Sequence, residues 1–179
     1  RVRLVFSGSG GQGVITAAII LAEAAALFEN KHAVQSQSYG AAARGGATRS
    51  DIIIDTAEIF FPKVNQPNIL VSLTQESYNT FSQIIRPGGL LLVDSRYVNI
   101  ESRVAGKHVS LPMYDTVIKK IGKPIVFNIC MLGALIGVSD IINPESIIKV
   151  LETTVPQEFM EMNKKALDLG MELGLKHRS

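Results

Sequence analysis

The sequence lacks tryptophan and has a single cysteine, Cys130, among its 179 residues. One cysteine forms no disulfide within the chain, and alone it holds neither an iron–sulfur cluster nor a structural zinc ion. Cys130 lies in an apolar run over residues 126–135, which indicates a core side chain and not a nucleophile. We therefore predict no metal site in this chain.

Charge is also sparse. Charged residues make up 19% of the sequence, the net charge is +2, and there is no long run of lysine or arginine, so nucleic-acid binding has little support. No apolar stretch is long enough to span a bilayer, and no secretory signal is present, so we expect no membrane contact and a cytoplasmic location. Hydrophobic residues make up 46%. That content fits a fully buried sheet or a subunit that buries an interface as well as a core.

Apolar runs alternate with helical patterns over the first two thirds of the chain. Strands are predicted at residues 3–7, 33–37, 47–54, 68–73, 90–93 and 107–111, with an ambiguous short strand at 58–61. Helices are predicted at 14–28, 76–85, 115–121, 126–135, 145–151 and 157–173; Asn143 and Pro144 supply the N-cap and first position of the fifth. We predict one α/β domain over residues 1–179. It is a three-layer, Rossmann-like fold with a mostly parallel sheet, helices on both faces and a helical C-terminal part.

A glycine-rich loop connects the first strand to the first helix. Glycine permits positive φ and close approach of the backbone to a ligand, and backbone N–H groups at a helix N-terminus bind anions. A phosphate or pyrophosphate is the natural ligand, and a tight turn without a ligand is the alternative. The predicted binding residues of this loop are Gly8, Ser9, Gly10, Gly11, Gln12 and Gly13.

The loop matches two well-known nucleotide motifs poorly. Gly8, Gly10 and Gly13 satisfy G-x-G-x-x-G, but the acidic residue that holds the ribose of NAD at the end of the second strand is absent. Glu29 falls before that strand. Val14 follows Gly13 where a Walker loop needs lysine. A free-standing dinucleotide-dependent oxidoreductase remains an alternative that these absences argue against.

A second polar and glycine-rich loop follows the second strand. Ligands bind beyond the carboxyl ends of parallel strands, so this loop shares an edge of the sheet with the first if the two strands are parallel. Arg44 is then the cation nearest the glycine loop, and its guanidinium suits phosphate. Tyr39 is expected either to stack on a base or to pack beneath the loop, and Arg49 is expected to be a solvated strand residue. The candidate binding residues are Ser38, Tyr39, Gly40, Arg44, Gly45 and Gly46.

No set of histidine, aspartate and serine has a spacing that suggests nucleophilic catalysis, so we predict no catalytic residue. His32, His108 and His177 are isolated, and surface positions are expected for all three.

Four segments, taken together and in order, resemble the gamma subunit or gamma domain of 2-oxoacid:ferredoxin oxidoreductases of the pyruvate, 2-oxoglutarate or 2-ketoisovalerate type. The two glycine loops, taken together, are the first of the four. The others are the Arg86-Pro-Gly-Gly89 turn, the stretch from Asn128 to Gly133, and the stretch from Asn163 to Gly170. The resemblance covers most of the chain.

The resemblance implies an enzyme that converts a 2-oxoacid and coenzyme A to acyl-CoA, carbon dioxide and reduced ferredoxin. Thiamine diphosphate with magnesium would lie between the alpha and beta subunits, and 4Fe-4S clusters in the beta and delta subunits. The gamma subunit would bind none of these and would help to hold coenzyme A and the assembly together. The isolated chain would be inactive, and the sequence leaves open whether it self-associates. A purely structural subunit is the remaining alternative.

Carried over residue by residue, the family's pattern assigns Gly8, Gly10, Gly11, Gln12 and Gly13 to a phosphate cradle and Arg44, Gly45 and Gly46 to its second wall. It implies packing or interface positions for Asn128 and Gly133. Alanines at residues 41–43 stand where the family often has a proline and an acid, and Asp115 stands near a position that is often small, which leaves the subtype open. The form Gln37-Ser-Tyr-Gly40 resembles the 2-oxoglutarate branch more than the indolepyruvate branch, so 2-oxoglutarate is slightly preferred.

Overall fold

The computed structural model describes residues 1–38 and 47–178. Over these residues the chain forms a six-stranded sheet in the order β2-β3-β1-β4-β5-β6. The strands are β1 (Val2–Gly8), β2 (His32–Ser38), β3 (Thr48–Asp55), β4 (Ile69–Ser72), β5 (Leu90–Asp94) and β6 (Lys107–Leu111).

The sheet is mixed. β1, β4, β5 and β6 form consecutive parallel pairs, whereas β3 runs antiparallel to both β1 and β2. β3 is therefore the one reversed strand among those described, and β1 and β2 point the same way with β3 between them. The α/β prediction is confirmed, and β3 accounts for the mixed character of the sheet.

The helices that follow the strands are α1 (Val14–Phe28), α2 (Gln75–Phe81), α3 (Met113–Lys120), α4 (Phe127–Ser139), α5 (Pro144–Thr154) and α6 (Met160–Leu175). Short 3-10 turns lie at Gly10–Gln12, Ser82–Ile84, Pro124–Val126 and Gln157–Phe159. The side chain of Asn143 accepts a hydrogen bond from the Glu145 N–H at 2.9 Å and caps α5, as its position before Pro144 predicts.

Two hydrophobic cores lie on opposite faces of the sheet. The larger contains Leu4, Phe6 and Leu92 from the strands and is covered by α1, α3, α4, α5 and α6. The smaller contains Val5, Leu91 and Val93 and is covered by Tyr78 of α2 and by loop residues. Alternate strand residues thus face opposite cores, and both faces of the sheet are covered.

Helix α4 lies at the centre of the larger core, with every residue from Phe127 to Val138 buried. Its glycines, Gly133 and Gly137, face glycines Gly170 and Gly174 of α6. A Cβ at Gly133 would meet the backbone of Leu167 and lie 3.0 Å from the Met171 nitrogen. Gly133 is therefore a packing glycine, as the sequence predicted. Cys130 is fully buried beside it, again as predicted.

The structure corrects three expectations away from the glycine loops. Residues 58–61, which the structure describes, form no strand. His108 is half-buried, and its Nε2 lies 2.9 Å from the Tyr78 hydroxyl, so it is not a free surface residue. His32 and His177 are exposed, as predicted.

Arg49 is the third correction. Its side chain is only 18% exposed and pairs with the carboxylate of Asp51, with Nε 2.7 Å from Oδ1. The guanidinium also lies 5.4 Å from the centre of the Phe81 ring. The strand pattern alone suggested a solvated position, but residues 56–64 fold back over this face of β3 and enclose it.

Candidate functional site

The glycine loop is held in shape by the side chain of Gln12. The N–H of Ser9 donates to Gln12 Oε1 at 2.9 Å, and Gln12 Nε2 donates to the Leu73 carbonyl at 3.0 Å. A Cβ at Gly8 would lie 2.5 Å from Gln12 Oε1 and 3.0 Å from Val14 Cγ2, so a side chain there would displace Gln12 from its place across the end of β1. Both polar ends of Gln12 are thus bonded to backbone, and its role is to brace the loop.

Gly13 connects the loop to α1. It adopts φ +73°, which favours glycine, and a Cβ there would lie 2.6 Å from Asn128 Nδ2. That amide, in the first turn of α4, donates to the Gly13 carbonyl at 3.3 Å. Through this hydrogen bond Asn128, which is buried, contacts the predicted cradle directly. Sequence reasoning assigned it to packing or interface and missed this contact.

Gly10 and Gly11 differ from their neighbours, because no described part of the chain lies close enough to require glycine there. Among the described residues, a Cβ at Gly10 would find only Thr48 Oγ1, at 4.0 Å, and a Cβ at Gly11 would find nothing within 4 Å. Neither has a positive φ, and both are exposed. They begin a 3-10 turn, Gly10–Gln12, that leads through Gly13 into α1. No atom of residues 1–38 or 47–178 crowds the position that a side chain at Gly11 would take.

Two buried serines fix the edge of the sheet beneath the loop. Ser7 Oγ donates to the Val71 carbonyl at 2.8 Å and lies 3.1 Å from Ser72 Oγ. Both serines are fully buried at the carboxyl ends of β1 and β4. These bonds hold the two strand ends together where the loop begins.

The second candidate loop leaves the same edge of the sheet. Gly8 pairs with Thr48, and Ser38 pairs with Arg49, so the carboxyl ends of β1 and β2 lie on either side of the start of β3. Ser38 is exposed there. The other predicted residues of this loop, Tyr39, Gly40, Arg44, Gly45 and Gly46, lie outside the residues that the structure describes.

Glu29 does not reach the loop. It follows the last residue of α1, at the far end of a 15-residue helix from Gly13. Its carboxylate accepts a hydrogen bond from the Asn143 N–H at 2.8 Å and lies 3.8 Å from Lys31 Nζ. Among the described residues, β2 ends in Ser38 and has no acidic side chain at its carboxyl end.

A largely apolar cleft of about 630 Å³ opens beside the loop and runs along α1. Gly11, Gln12 and Gly13 form one end, and the start of α4, the end of α5 and the start of α6 form the opposite wall. Its polar groups include Thr16, Glu23, Asn128 and Asn163. The sequence did not reveal this cleft, because its walls come from elements that are distant in the chain.

Two buried titratable groups lie near the same end of the sheet. Burial raises the pKa of the Asp94 carboxyl at the end of β5, although the N–H groups of Arg96 and Tyr114 donate to it, each at 2.9 Å. Burial, with a smaller contribution from the charge of Asp94, raises the pKa of the Cys130 thiol to about 12. Such a thiol is not a nucleophile at neutral pH. Within residues 1–38 and 47–178, no three histidine, cysteine, aspartate or glutamate side chains lie where they could share a metal ion.

Comparison with known proteins gives consistent matches. A model of the pyruvate ferredoxin/flavodoxin oxidoreductase family matches residues 3–173. The 2-oxoglutarate synthase subunit KorC of Methanocaldococcus jannaschii is 42% identical, over 97% of this chain and 94% of its own length. The crystal structure of a keto/oxoacid ferredoxin oxidoreductase gamma subunit from Geobacter sulfurreducens is 38% identical, with a TM-score of 0.88, covering 98% of this chain and 99% of that one.

The same fold also occurs inside a longer chain. A 2-oxoglutarate:ferredoxin oxidoreductase from Magnetococcus marinus, solved with 2-oxoglutarate, coenzyme A and succinyl-CoA bound, matches with a TM-score of 0.85 at 20% identity. The match covers 98% of this chain and 31% of that one.

Among the helices that the structure describes, none has the length and apolar character needed to cross a membrane.

Proposed function

The chain belongs to the pyruvate ferredoxin/flavodoxin oxidoreductase family, as a gamma subunit of a 2-oxoacid ferredoxin oxidoreductase, and from this premise we propose that it holds the phosphates of coenzyme A for the assembled enzyme. The residues proposed to line the site are Gly8–Gly13 of the first loop and Ser38, Tyr39, Gly40, Arg44, Gly45 and Gly46 of the second. The chain catalyses no step by itself and binds no cofactor alone.

The observation that carries this proposal is the open space above Gly10 and Gly11. Packing explains the glycines at positions 8 and 13, but no atom of the described chain occupies the volume that a side chain at Gly11 would take. Glycine there keeps the backbone accessible at the start of α1, where N–H groups and the helix dipole favour an anion. Coenzyme A is the phosphorylated substrate of the family's reaction, and its phosphates are the anions that we propose for this loop.

The oxidative decarboxylation itself belongs to groups in other subunits. Thiamine diphosphate with magnesium in the alpha and beta subunits and 4Fe-4S clusters in the beta and delta subunits supply that chemistry, and ferredoxin accepts the electrons. The gamma subunit contributes position. Holding the nucleotide end of coenzyme A raises the local concentration of its thiol at the reacting centre. We place the complex in the cytoplasm.

We also propose 2-oxoglutarate as the preferred 2-oxoacid. The 42% identity with a 2-oxoglutarate synthase subunit supports this preference. The comparison that tests it is kcat/KM of the assembled enzyme for 2-oxoglutarate, pyruvate and 2-oxoisovalerate. A higher value for either of the other two acids would contradict it.

The cradle is tested by a Gly11→Asp substitution in the assembled enzyme. Position 11 has room for a side chain and an ordinary φ, so the variant is expected to fold. A carboxylate about 5 Å from a bound phosphate costs about 3 kcal/mol at an effective dielectric constant near 20, so the KM for coenzyme A is expected to rise on the order of a hundredfold. Gly11→Ala, which is small and neutral, is the matched control and is expected to have a much weaker effect.

Decarboxylation of the 2-oxoacid in the absence of coenzyme A is expected to be spared in Gly11→Asp, because that step precedes transfer to the thiol. Arg44→Ala is expected to show the same split between a raised KM for coenzyme A and preserved decarboxylation. Equal loss of both activities in these variants would reject a role in coenzyme A binding and leave a purely structural subunit. Tight binding of NAD or NADP by the isolated chain would instead favour the dinucleotide-dependent alternative.

A further inference from the structure

We propose that Arg96 recognises the 3′-phosphate of coenzyme A and that the rings of Tyr97 and Tyr114 position its guanidinium for this contact. The inference rests on the proposed function, because it adds a second phosphate contact to the same nucleotide-binding edge. Its test is chosen so that it can fail while the glycine loop keeps its role.

Arg96 lies at the same edge of the sheet as the glycine loop. β1, β4 and β5 are parallel neighbours, and their registers set Ser7, Ser72 and Val93 side by side. Gly10 follows Ser7 by three residues, and Arg96 follows Val93 by three. Neighbouring strands are about 4.8 Å apart, so the ends of β1 and β5 are separated by about 10 Å.

Contacts between side chains connect the two places on one face of the sheet. Asn128, in the first turn of α4, donates to the Gly13 carbonyl. Its neighbour Phe127 packs edge to face against Tyr114, with ring centres 5.5 Å apart, and Tyr114 packs against Tyr97 at 5.3 Å. Tyr114 also packs against the larger core, which α1 covers, so the tyrosines lie on the α1 face of the sheet.

The guanidinium of Arg96 is both positioned and accessible. It lies 5.9 Å from the centre of the Tyr97 ring and 5.9 Å from that of Tyr114. Its side chain is nevertheless 54% exposed. One N–H, at Nη1, donates to Asp115 Oδ1 at 3.0 Å. A guanidinium has five N–H donors in a rigid fork, so this contact leaves donors for a phosphate.

Asp115 does not close the site. Its side chain is 52% exposed, and an ion pair between exposed side chains contributes little to stability. A phosphate monoester carries more charge than a carboxylate and accepts two parallel hydrogen bonds from arginine, so it competes with Asp115 for Arg96. The carboxylate then serves to orient the guanidinium while no phosphate is bound.

Arg49 is nearer to the glycine loop in the sheet but is already engaged. It pairs in register with Ser7 at the end of β1. Its side chain is mostly buried, and its donors go to the Asp51 carboxylate and the Val64 carbonyl. Among the described residues, Arg96 is therefore the arginine at this edge that is open to a ligand.

The chemistry of coenzyme A selects the 3′-phosphate as that ligand. With the diphosphate at the glycine loop, one ribose separates it from the phosphate on the 3′-hydroxyl. A ribose together with the length of an arginine side chain bridges the separation between the two strand ends. The forked donors of arginine match a terminal phosphate of this kind.

The test compares coenzyme A with 3′-dephospho-coenzyme A, which lacks only this phosphate, as substrates of the assembled enzyme. Arg96→Gln is expected to raise the KM for coenzyme A about tenfold or more, because it removes charge-assisted hydrogen bonds to the phosphate. The KM for dephospho-coenzyme A is expected to stay nearly unchanged, so the variant loses the preference for the phosphorylated form. Arg96→Lys keeps the charge without the fork and is expected to retain part of that preference.

Arg103→Gln is the matched control. Arg103 is 76% exposed and its Nε lies 2.7 Å from Glu101 Oε2, so it is also a surface arginine in an ion pair. It lies in the loop that returns to the opposite edge of the sheet, where the Gly88 N–H donates to the Ala105 carbonyl shortly before β5 and β6 begin. Both KM values are expected to be unchanged in this variant.

The outcomes separate this proposal from that of the glycine loop. Gly11→Asp is expected to raise the KM for both substrates, because both contain the diphosphate, whereas Arg96→Gln affects only the one with the 3′-phosphate. An equal rise for both substrates in Arg96→Gln, or no rise for either, would overturn the role of Arg96 and leave that of the glycine loop standing. So would an unchanged enzyme that does not distinguish the two substrates. If Arg96→Gln does not assemble, Arg96→Lys decides by the same ratio of KM values.

Discussion

The contact between α4 and α6 offers a test of the packing on which the site rests. Gly170 of α6 lies directly against the α4 backbone, and a Cβ added there would lie 2.7 Å from the Ala134 nitrogen and 2.9 Å from the Cys130 carbonyl carbon. Both neighbours are backbone atoms of a helix that is buried throughout, so neither can turn aside as a side chain would. A Gly170→Ala substitution must push the helices apart.

The expected cost follows from two opposing effects. Alanine favours the helix by about 1 kcal/mol relative to glycine. Overpacking of a rigid core costs about 1–3 kcal/mol and sometimes more, and contacts below 3 Å with backbone belong at or above the upper end of that range. We expect a net loss of about 2 kcal/mol in the free energy of unfolding, which lowers Tm by about 4–8 °C in a chain of this size.

Urea and thermal unfolding of the isolated chain measure this effect. Glu172→Ala is the control, because Glu172 lies on the exposed face of α6 two residues further on and its replacement is expected to change stability by less than about 0.5 kcal/mol. A Gly170→Ala variant as stable as the unchanged chain, with an equal urea m-value, would show that the helices are not in backbone contact and that the argument from close approach is wrong.

Two further outcomes follow from the buried titratable groups. Cys130 is fully buried, and with a thiol pKa of about 12 it is a thiolate in only roughly one molecule in ten thousand at about pH 8. DTNB should therefore react with no thiol in the native chain and with one thiol after urea unfolding. Rapid labelling of the native chain would contradict the packing. Burial raises the folded-state pKa of Asp94, so its ionised form costs stability above that pKa and the cost is lost as pH falls through it. The unchanged chain should therefore gain Tm relative to Asp94→Asn between about pH 7 and about pH 4, and a constant or reversed difference would refute the assigned direction.

Much of the fold could be predicted from local pattern. α1 and β6 have the bounds that the sequence predicts, because each is an apolar or alternating run that ends at clear breakers. α4 continues to Ser139, four residues beyond its predicted end at residue 135. Gly137 weakens a helix in isolation, but here it allows α6 to approach and is compensated by tertiary packing. The reversal of β3 has no local signature, because side-chain alternation is the same in either direction.

The candidate site was predictable only in part, for a related reason. The glycine loop is contiguous in the sequence, and its glycines indicate that the backbone closely approaches another group. Asn128, by contrast, is 115 residues away from the Gly13 carbonyl that it contacts. Arg49 has the alternation of an outward strand residue, and only the return of residues 56–64 over β3 encloses it with Asp51. Contacts between distant segments decide both positions.

The same distant contact joins the stability of the core to the proposed function. Asn128 is on α4, the helix that Gly170→Ala displaces, and its bond to the Gly13 carbonyl is already 3.3 Å long. A shift of about half an ångström takes that bond past the length at which it still holds. Gln12 would continue to brace the other side of the loop through Leu73. Gly170→Ala should therefore raise the KM for coenzyme A in the assembled enzyme while Glu172→Ala does not, and an unchanged KM in a destabilised Gly170→Ala variant would show that the loop keeps its shape without Asn128.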